Sequence, residues 1–113
     1  MGASQGGPVQ EAVTLPVVWI PEADADVKEA FAWYESIHPD LGVRFALAVE
    51  TAVDLIARSP LAFQIVYSEI RRVGVRRFPY GPFFKVESNR IVVIACIHGK
   101  RNPKRWKLRG GES

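Results

Sequence analysis

The sequence predicts an α+β domain ordered β-α-α-β-β-β, with a helical hairpin packed on one face of a small, mostly antiparallel sheet. Three observations predict it. Apolar residues recur at helical spacing in two stretches parted only by His38-Pro39-Asp40. Beyond residue 69 the pattern turns to β-branched and aromatic runs broken by Pro, Gly and Ser-Asn. The length, 113 residues with 48% hydrophobic and 24% charged, suits one domain with an ordinary core.

Each element follows in order. Residues 1–13 are rich in Gly, Ser and Gln and are expected to be disordered; the domain is expected over 14–109, with a flexible tail at 110–113. Residues 14–20 (TLPVVWI) are of strand type, and Pro16 points to an edge or a late start. From residue 22 to about 37, Val27, Ala30, Phe31 and Tyr34 mark a helix, with Asp24 and Asp26 read as first-turn charges favoured by the helix dipole. Proline at 39 disfavours helix in the residue before it. A second helix runs over 41–58 on Phe45, Ala48, Val49, Ala52, Val53 and Ile56, and ends at Arg58-Ser59-Pro60. So short a connection makes the pair an antiparallel hairpin. Residues 70–78 (IRRVGVRRF) then alternate as a strand, Pro79-Tyr80-Gly81-Pro82 reads as a turn, and residues 83–87 as a strand. Ser88-Asn89 forms a hairpin connection to residues 90–97, a run apolar on both faces and therefore central. Residues 98–107 (HGKRNPKRWK) read as a basic loop or arm.

Charge is distributed unevenly. Residues 1–57 carry two basic and nine acidic side chains, a balance of −7; residues 58–113 carry thirteen and three, a balance of +10, together the net +3. A half this basic presents a positive face that attracts a polyanion or an acidic protein. Arg71, Arg72, Arg76 and Arg77 are expected on one strand, and Lys100, Arg101, Lys104, Arg105 and Lys107 after the last one. Neighbouring antiparallel strands would bring both sets to one sheet edge, where they would bind phosphates or an acidic protein surface. Trp106, among these cations, either stacks on a base, fills a slot in a partner or anchors the arm on its own core.

Other chemistry finds little support. No phosphate loop, dinucleotide fingerprint, nucleophile elbow or HExxH motif occurs. Cys96, the single cysteine, cannot form an internal disulfide and sits in an apolar strand, where a buried, inert thiol is expected. His38 and His98 stand 60 positions apart without carboxylate company, so neither a metal nor a cofactor is expected. No membrane-length apolar run and no secretory signal are visible, which predicts a cytoplasmic protein with no membrane partner.

Two segments carry a resemblance. AFAWYESIHPDLGVRF and IRRVGVRRFPYGPFFKVESNRIVVIACIHGKRNP resemble the ParE/RelE superfamily of toxins from type II toxin–antitoxin modules, over roughly residues 17–106. The most specific parts are Arg77-Phe78-Pro79-Tyr80, the strand Phe83-Phe84-Lys85-Val86, and His98-Gly99-Lys100-Arg101-Asn102-Pro103, which looks like the HxxRxP ending of the ParE-like branch. The resemblance implies the α+β fold read above and a cognate antitoxin whose C-terminal segment wraps the toxin. RelE-like members cut messenger RNA on the ribosome; here Gly81 stands where they carry a key arginine, and Trp106-Lys107 occupies the region of their tyrosine. ParE-like members poison DNA gyrase without catalysis of their own, and this chain resembles that branch. Arg77, Tyr80, His98, Lys100, Arg101, Arg105 and Trp106 are then the expected target contacts. The alternatives are a metal-independent endoribonuclease using Arg77, Lys85, His98 and Arg101, and a non-toxic relative that binds only its partner. Homodimer and toxin–antitoxin hetero-oligomer are both compatible with the sequence.

Overall fold

The computed structural model describes residues 14–98 and 103–110; the expectations for 1–13, for Lys100 and Arg101, and for 111–113 lie outside the described residues. Strand β1 (Val17–Trp19) begins after Pro16, whose missing N–H cannot join a ladder. Helix α1 (Pro21–Ile37) starts on a proline, whose fixed φ suits the first helical position, and buries Ala23, Asp26, Ala30 and Tyr34. Helix α2 (Leu41–Arg58) buries Phe45, Val49, Ala52 and Ile56 on one stripe. Burying each of the larger side chains contributes roughly 1.5–3 kcal/mol.

The hairpin is locked at its turn by α1 itself. The Glu35 carboxylate accepts the Gly42 N–H at 2.7 Å and the Val43 N–H at 3.3 Å, satisfying first-turn amides of α2 that have no partner within their own helix. Gly42 is required by this approach, since a Cβ there would fall 2.6 Å from the Phe31 carbonyl oxygen.

Four further strands follow: β2 (Ile65–Tyr67), β3 (Ile70–Arg72), β4 (Tyr80–Val86) and β5 (Ile91–His98). The five strands lie in the order β1-β5-β4-β3-β2. Among the described residues only β1 and β5 run parallel; every other pairing is antiparallel. The expected class, hairpin and Ser88-Asn89 connection are all present, with Glu87 N–H donating to the Arg90 carbonyl at 2.8 Å across that connection.

Three expectations need correction. Strand β2 adds to the expected order, since Ile65-Val66-Tyr67 is too short to show a period in the sequence. The strand expected over 70–78 ends at Arg72, and residues 76–79 form the turn. Arg76 and Arg77 therefore do not share a strand with Arg71 and Arg72, while Tyr80, Gly81 and Pro82 belong to β4 rather than to a turn. Part of the expected basic arm is a helix, α3 (Pro103–Arg109).

The sheet has two covered faces. Phe84, Val93 and Cys96 join the α1–α2 core, whereas Phe83, Ile94, Ala95 and Ile97 form a second cluster with Ile70 and Trp106 of α3. A bulge sets this division: Phe84 pairs with Val93 but Phe83 with Ala95, so Ile94 is an extra residue in β5. Ile94 and Ala95 consequently both face α3, and the phase of the strand is reversed beyond them.

Candidate functional site

The hairpin from β3 to β4 builds one surface. Val73 and Val75 donate N–H groups to the carbonyls of Pro82 and Tyr80 at 3.2 and 3.0 Å, and Arg77 takes a left-handed φ of 72° at the turn. Phe78 turns inward, with its ring centroid 5.0 Å from Tyr34 and 5.3 Å from Phe45. That anchor throws Arg76 and Arg77 outward, so both are exposed. Between this turn and α2 runs a groove of about 740 Å³. Its α2 wall is apolar and open to solvent, Leu47 being 57% and Leu55 47% exposed. Arg44, Arg76 and Arg77 are its charged lining residues, and no carboxylate among the described residues lines it.

A second surface lies at the edge of β5 beyond its pairing with β1, which ends at Val93. The bulge turns the Ile94 carbonyl and the Cys96 N–H toward this open edge. Asp26 accepts the Cys96 N–H at 3.1 Å, and Arg109 donates to the Ile94 carbonyl at 3.3 Å. The two side chains also meet each other at 2.5 Å, with Arg105 at 3.8 Å. Together they satisfy the edge as a neighbouring strand would. Burial pushes the Cys96 thiol up to about 12, with the nearby Asp26 carboxylate adding to the effect. Beside them Trp33, Glu29, Tyr80 and His98 line a recess of about 260 Å³.

The expected site residues are dispersed across these surfaces. Arg77 lines the groove; Tyr80 and His98 are cross-strand partners with rings 6.2 Å apart, and Arg105 shares their recess. Trp106 is 6% exposed and stacks on Phe83 at 4.5 Å, so its ring anchors α3 to the sheet. Lys85 donates to the Gly110 carbonyl at 3.0 Å and lies five residues along β4 from Tyr80, roughly 17 Å at ~3.4 Å per residue. Lys85 and His98 therefore do not converge on one point. Among the described residues no group of three or more His, Cys, Asp or Glu side chains could hold a metal ion.

Sequence reasoning missed Asp26. It is 5% exposed and faces the sheet rather than serving as a solvated first-turn charge. The available signal was its place in the stripe Ala23, Asp26, Ala30, Tyr34, a carboxylate on an otherwise apolar helix face. The groove was missed because Leu47 and Leu55 lie outside the stripe that marks the core.

This helical hairpin over a mixed five-stranded sheet, with a third helix on the far face, matches the fold of solved toxins of the ParE/RelE type. A chain of the chromosomal ParDE toxin–antitoxin system from P. aeruginosa superposes with a TM-score of 0.67 at 16% identity, over 75% of this chain and 96% of that one. A chain of the RelBE2 toxin–antitoxin complex from Mycobacterium tuberculosis gives a TM-score of 0.52 at 18% identity, over 76% and 99%. Residues 17–103 match the family model described as ParE toxin of type II toxin-antitoxin system, parDE, and the chain belongs to that family. It is similar to Toxin ParE2 of M. tuberculosis strains CDC 1551 / Oshkosh and ATCC 25618 / H37Rv, 30% identical over 79 residues, which are 69% of this chain and 75% of each relative.

Proposed function

We propose that this chain is a toxin that inhibits DNA gyrase and is neutralised by a cognate antitoxin seated in the α2 groove. The groove carries the second part of the reading. Its apolar wall between Leu47 and Leu55, rimmed by Arg44, Arg76 and Arg77, fits an amphipathic helix with apolar residues on one face and carboxylates beside them. A disordered inhibitor segment would fold as it binds there. Support for a partner of this kind comes from the structural neighbours, chains of a ParDE toxin–antitoxin system and of a RelBE2 toxin–antitoxin complex. Gyrase as the target rests on the resemblance of the sequence to the ParE-like branch rather than on a site. The separation of Lys85 from His98 favours it over RNA cleavage, since a metal-free nuclease needs its proton-transfer and charge-stabilising groups on one phosphate.

The test is induction of the chain alone in a bacterial host, followed by DNA extraction under denaturing conditions. Growth arrest with protein-linked DNA breaks is the expected result. Arrest without breaks, together with cut message on programmed ribosomes, would overturn gyrase as the target.

A further inference from the structure

On the α3 side of the sheet, Arg72 is a cation without a counter-ion among the described residues. It pairs with Phe83 across β3 and β4, and its guanidinium carbon lies 5.4 Å from that ring's centroid. From there the guanidinium extends over the backbone at Gly81. A Cβ at Gly81 would fall 2.8 Å from Arg72 Cζ and Nη2, and 2.3 Å from the Val73 carbonyl oxygen. Any side chain at position 81 would evict the guanidinium, so the glycine forms its seat. Arg72 Nη1 reaches as far as Gly74, 3.9 Å from where a Cβ would stand.

One atom of the seated group is unsatisfied. Arg72 Nε is buried and has no hydrogen-bond partner, and none of the ion pairs among the described residues includes Arg72. Buried polar atoms are almost always paired, so an orphaned Nε on this half-buried side chain is uncommon. Burial correspondingly pulls the Arg72 pKa down from its ordinary value. Lys104 on α3 is likewise a cation that enters no ion pair among the described residues, and it is exposed.

We propose that Arg72 is the centre of an anion site that takes a phosphodiester of a DNA backbone. A planar guanidinium matches the oxygens of a phosphate in a fork. Phosphate is favoured over an isolated carboxylate because a backbone with regularly repeated charges engages Arg72 together with the exposed Lys104 of α3, the helix that covers the same sheet face. The site goes beyond the gyrase reading, and because it is tested on DNA alone its failure and that of gyrase inhibition are separate results.

The experiment uses the full chain labelled with ¹⁵N-arginine, and follows the Arg72 Nε–Hε resonance as a short DNA duplex is added. That resonance is expected to shift saturably. Arg72→Gln is expected to weaken duplex binding about 10-fold and to reduce the slope of log affinity against log salt by about 1. Arg72→Lys keeps the charge but not the fork and should remain several-fold weaker than the parent. Arg90→Gln, which removes a cation already paired with Glu87, should change affinity by less than about 2-fold. An Nε–Hε resonance unmoved at saturating duplex would overturn the proposal, and it needs no variant to fold. Duplex affinity unchanged in folded Arg72→Gln would do the same. A shift with a poly-glutamate peptide and none with the duplex would overturn DNA as the source of the anion.

Discussion

Asp26 shows how much one residue decides here. A buried carboxylate normally costs stability, but this one meets the Cys96 amide, the Arg109 guanidinium and, more distantly, Arg105. Asp26→Asn would keep an oxygen for the amide and leave Arg109 beside a neutral group. The expected loss is about 3 kcal/mol, lowering the thermal midpoint by on the order of 10 °C in a domain of this size. Circular dichroism melting decides it, and a shift of a degree or two would mean that the edge is held by something else. Cys96 and Tyr34 make a second, pH-dependent prediction. Burial raises the pKa of both above their ordinary values, the thiol to about 12. The fold thus prefers their neutral forms. The stability they contribute is fully present below pH ~8.5, the ordinary thiol value, and declines as pH rises toward 12. Iodoacetamide at pH 8 should leave the native thiol untouched and alkylate it in denaturant; rapid native alkylation would contradict the burial.

At the scale of elements, α3 is the least conventional part. It has seven residues, too few to be stable as an isolated helix, and four of them are basic. Trp106 stacked on Phe83, and the Arg109–Asp26 pair, hold it in place. Trp106→Ala should destabilise the fold by about 3–4 kcal/mol and should free α3 and β5 amides for hydrogen exchange before those of the α1–α2 hairpin. Uniform loss of protection across the molecule would show instead that α3 and the hairpin fold as one unit. The hairpin was legible from its periodicity because both stripes, Ala30 with Tyr34 and Phe45 through Ile56, face one core. The β3–β4 turn was not. Val73 and Val75 continue the alternation of a strand, yet the chain turns at Arg76-Arg77 because Phe78 is drawn into the ring cluster of Tyr34 and Phe45. Packing overrode a local pattern there.

Across the whole molecule, charge and apolar surface meet at the α2 groove. Leu47 points to solvent, so replacing it has little effect on the core but places a carboxylate in the seat proposed for the antitoxin helix. Leu47→Glu should change stability by less than ~0.5 kcal/mol and weaken neutralisation by 10-fold or more, since it buries a charge beside the incoming carboxylates. Growth on co-induction with the antitoxin reads this directly: a variant still arrested in its presence supports the groove, and a variant rescued like the parent removes the groove from the interface.

The order of the hairpin and the last two strands, the buried state of Cys96 and the basic second half were all readable in the linear pattern, because periodicity and composition are local properties. Membership of the toxin family was readable for the same reason, from contiguous motifs between residues 77 and 103. Contacts between distant positions were not readable. The meeting of Asp26 with Arg109, 83 positions apart, depends on a bulge at Ile94 that no sequence period announces. Nor does any motif place Gly81 under the guanidinium of Arg72; the register between β3 and β4 does. Which cations gather and which stay paired is settled by where strands end and how they align, and those are outcomes of packing the whole chain.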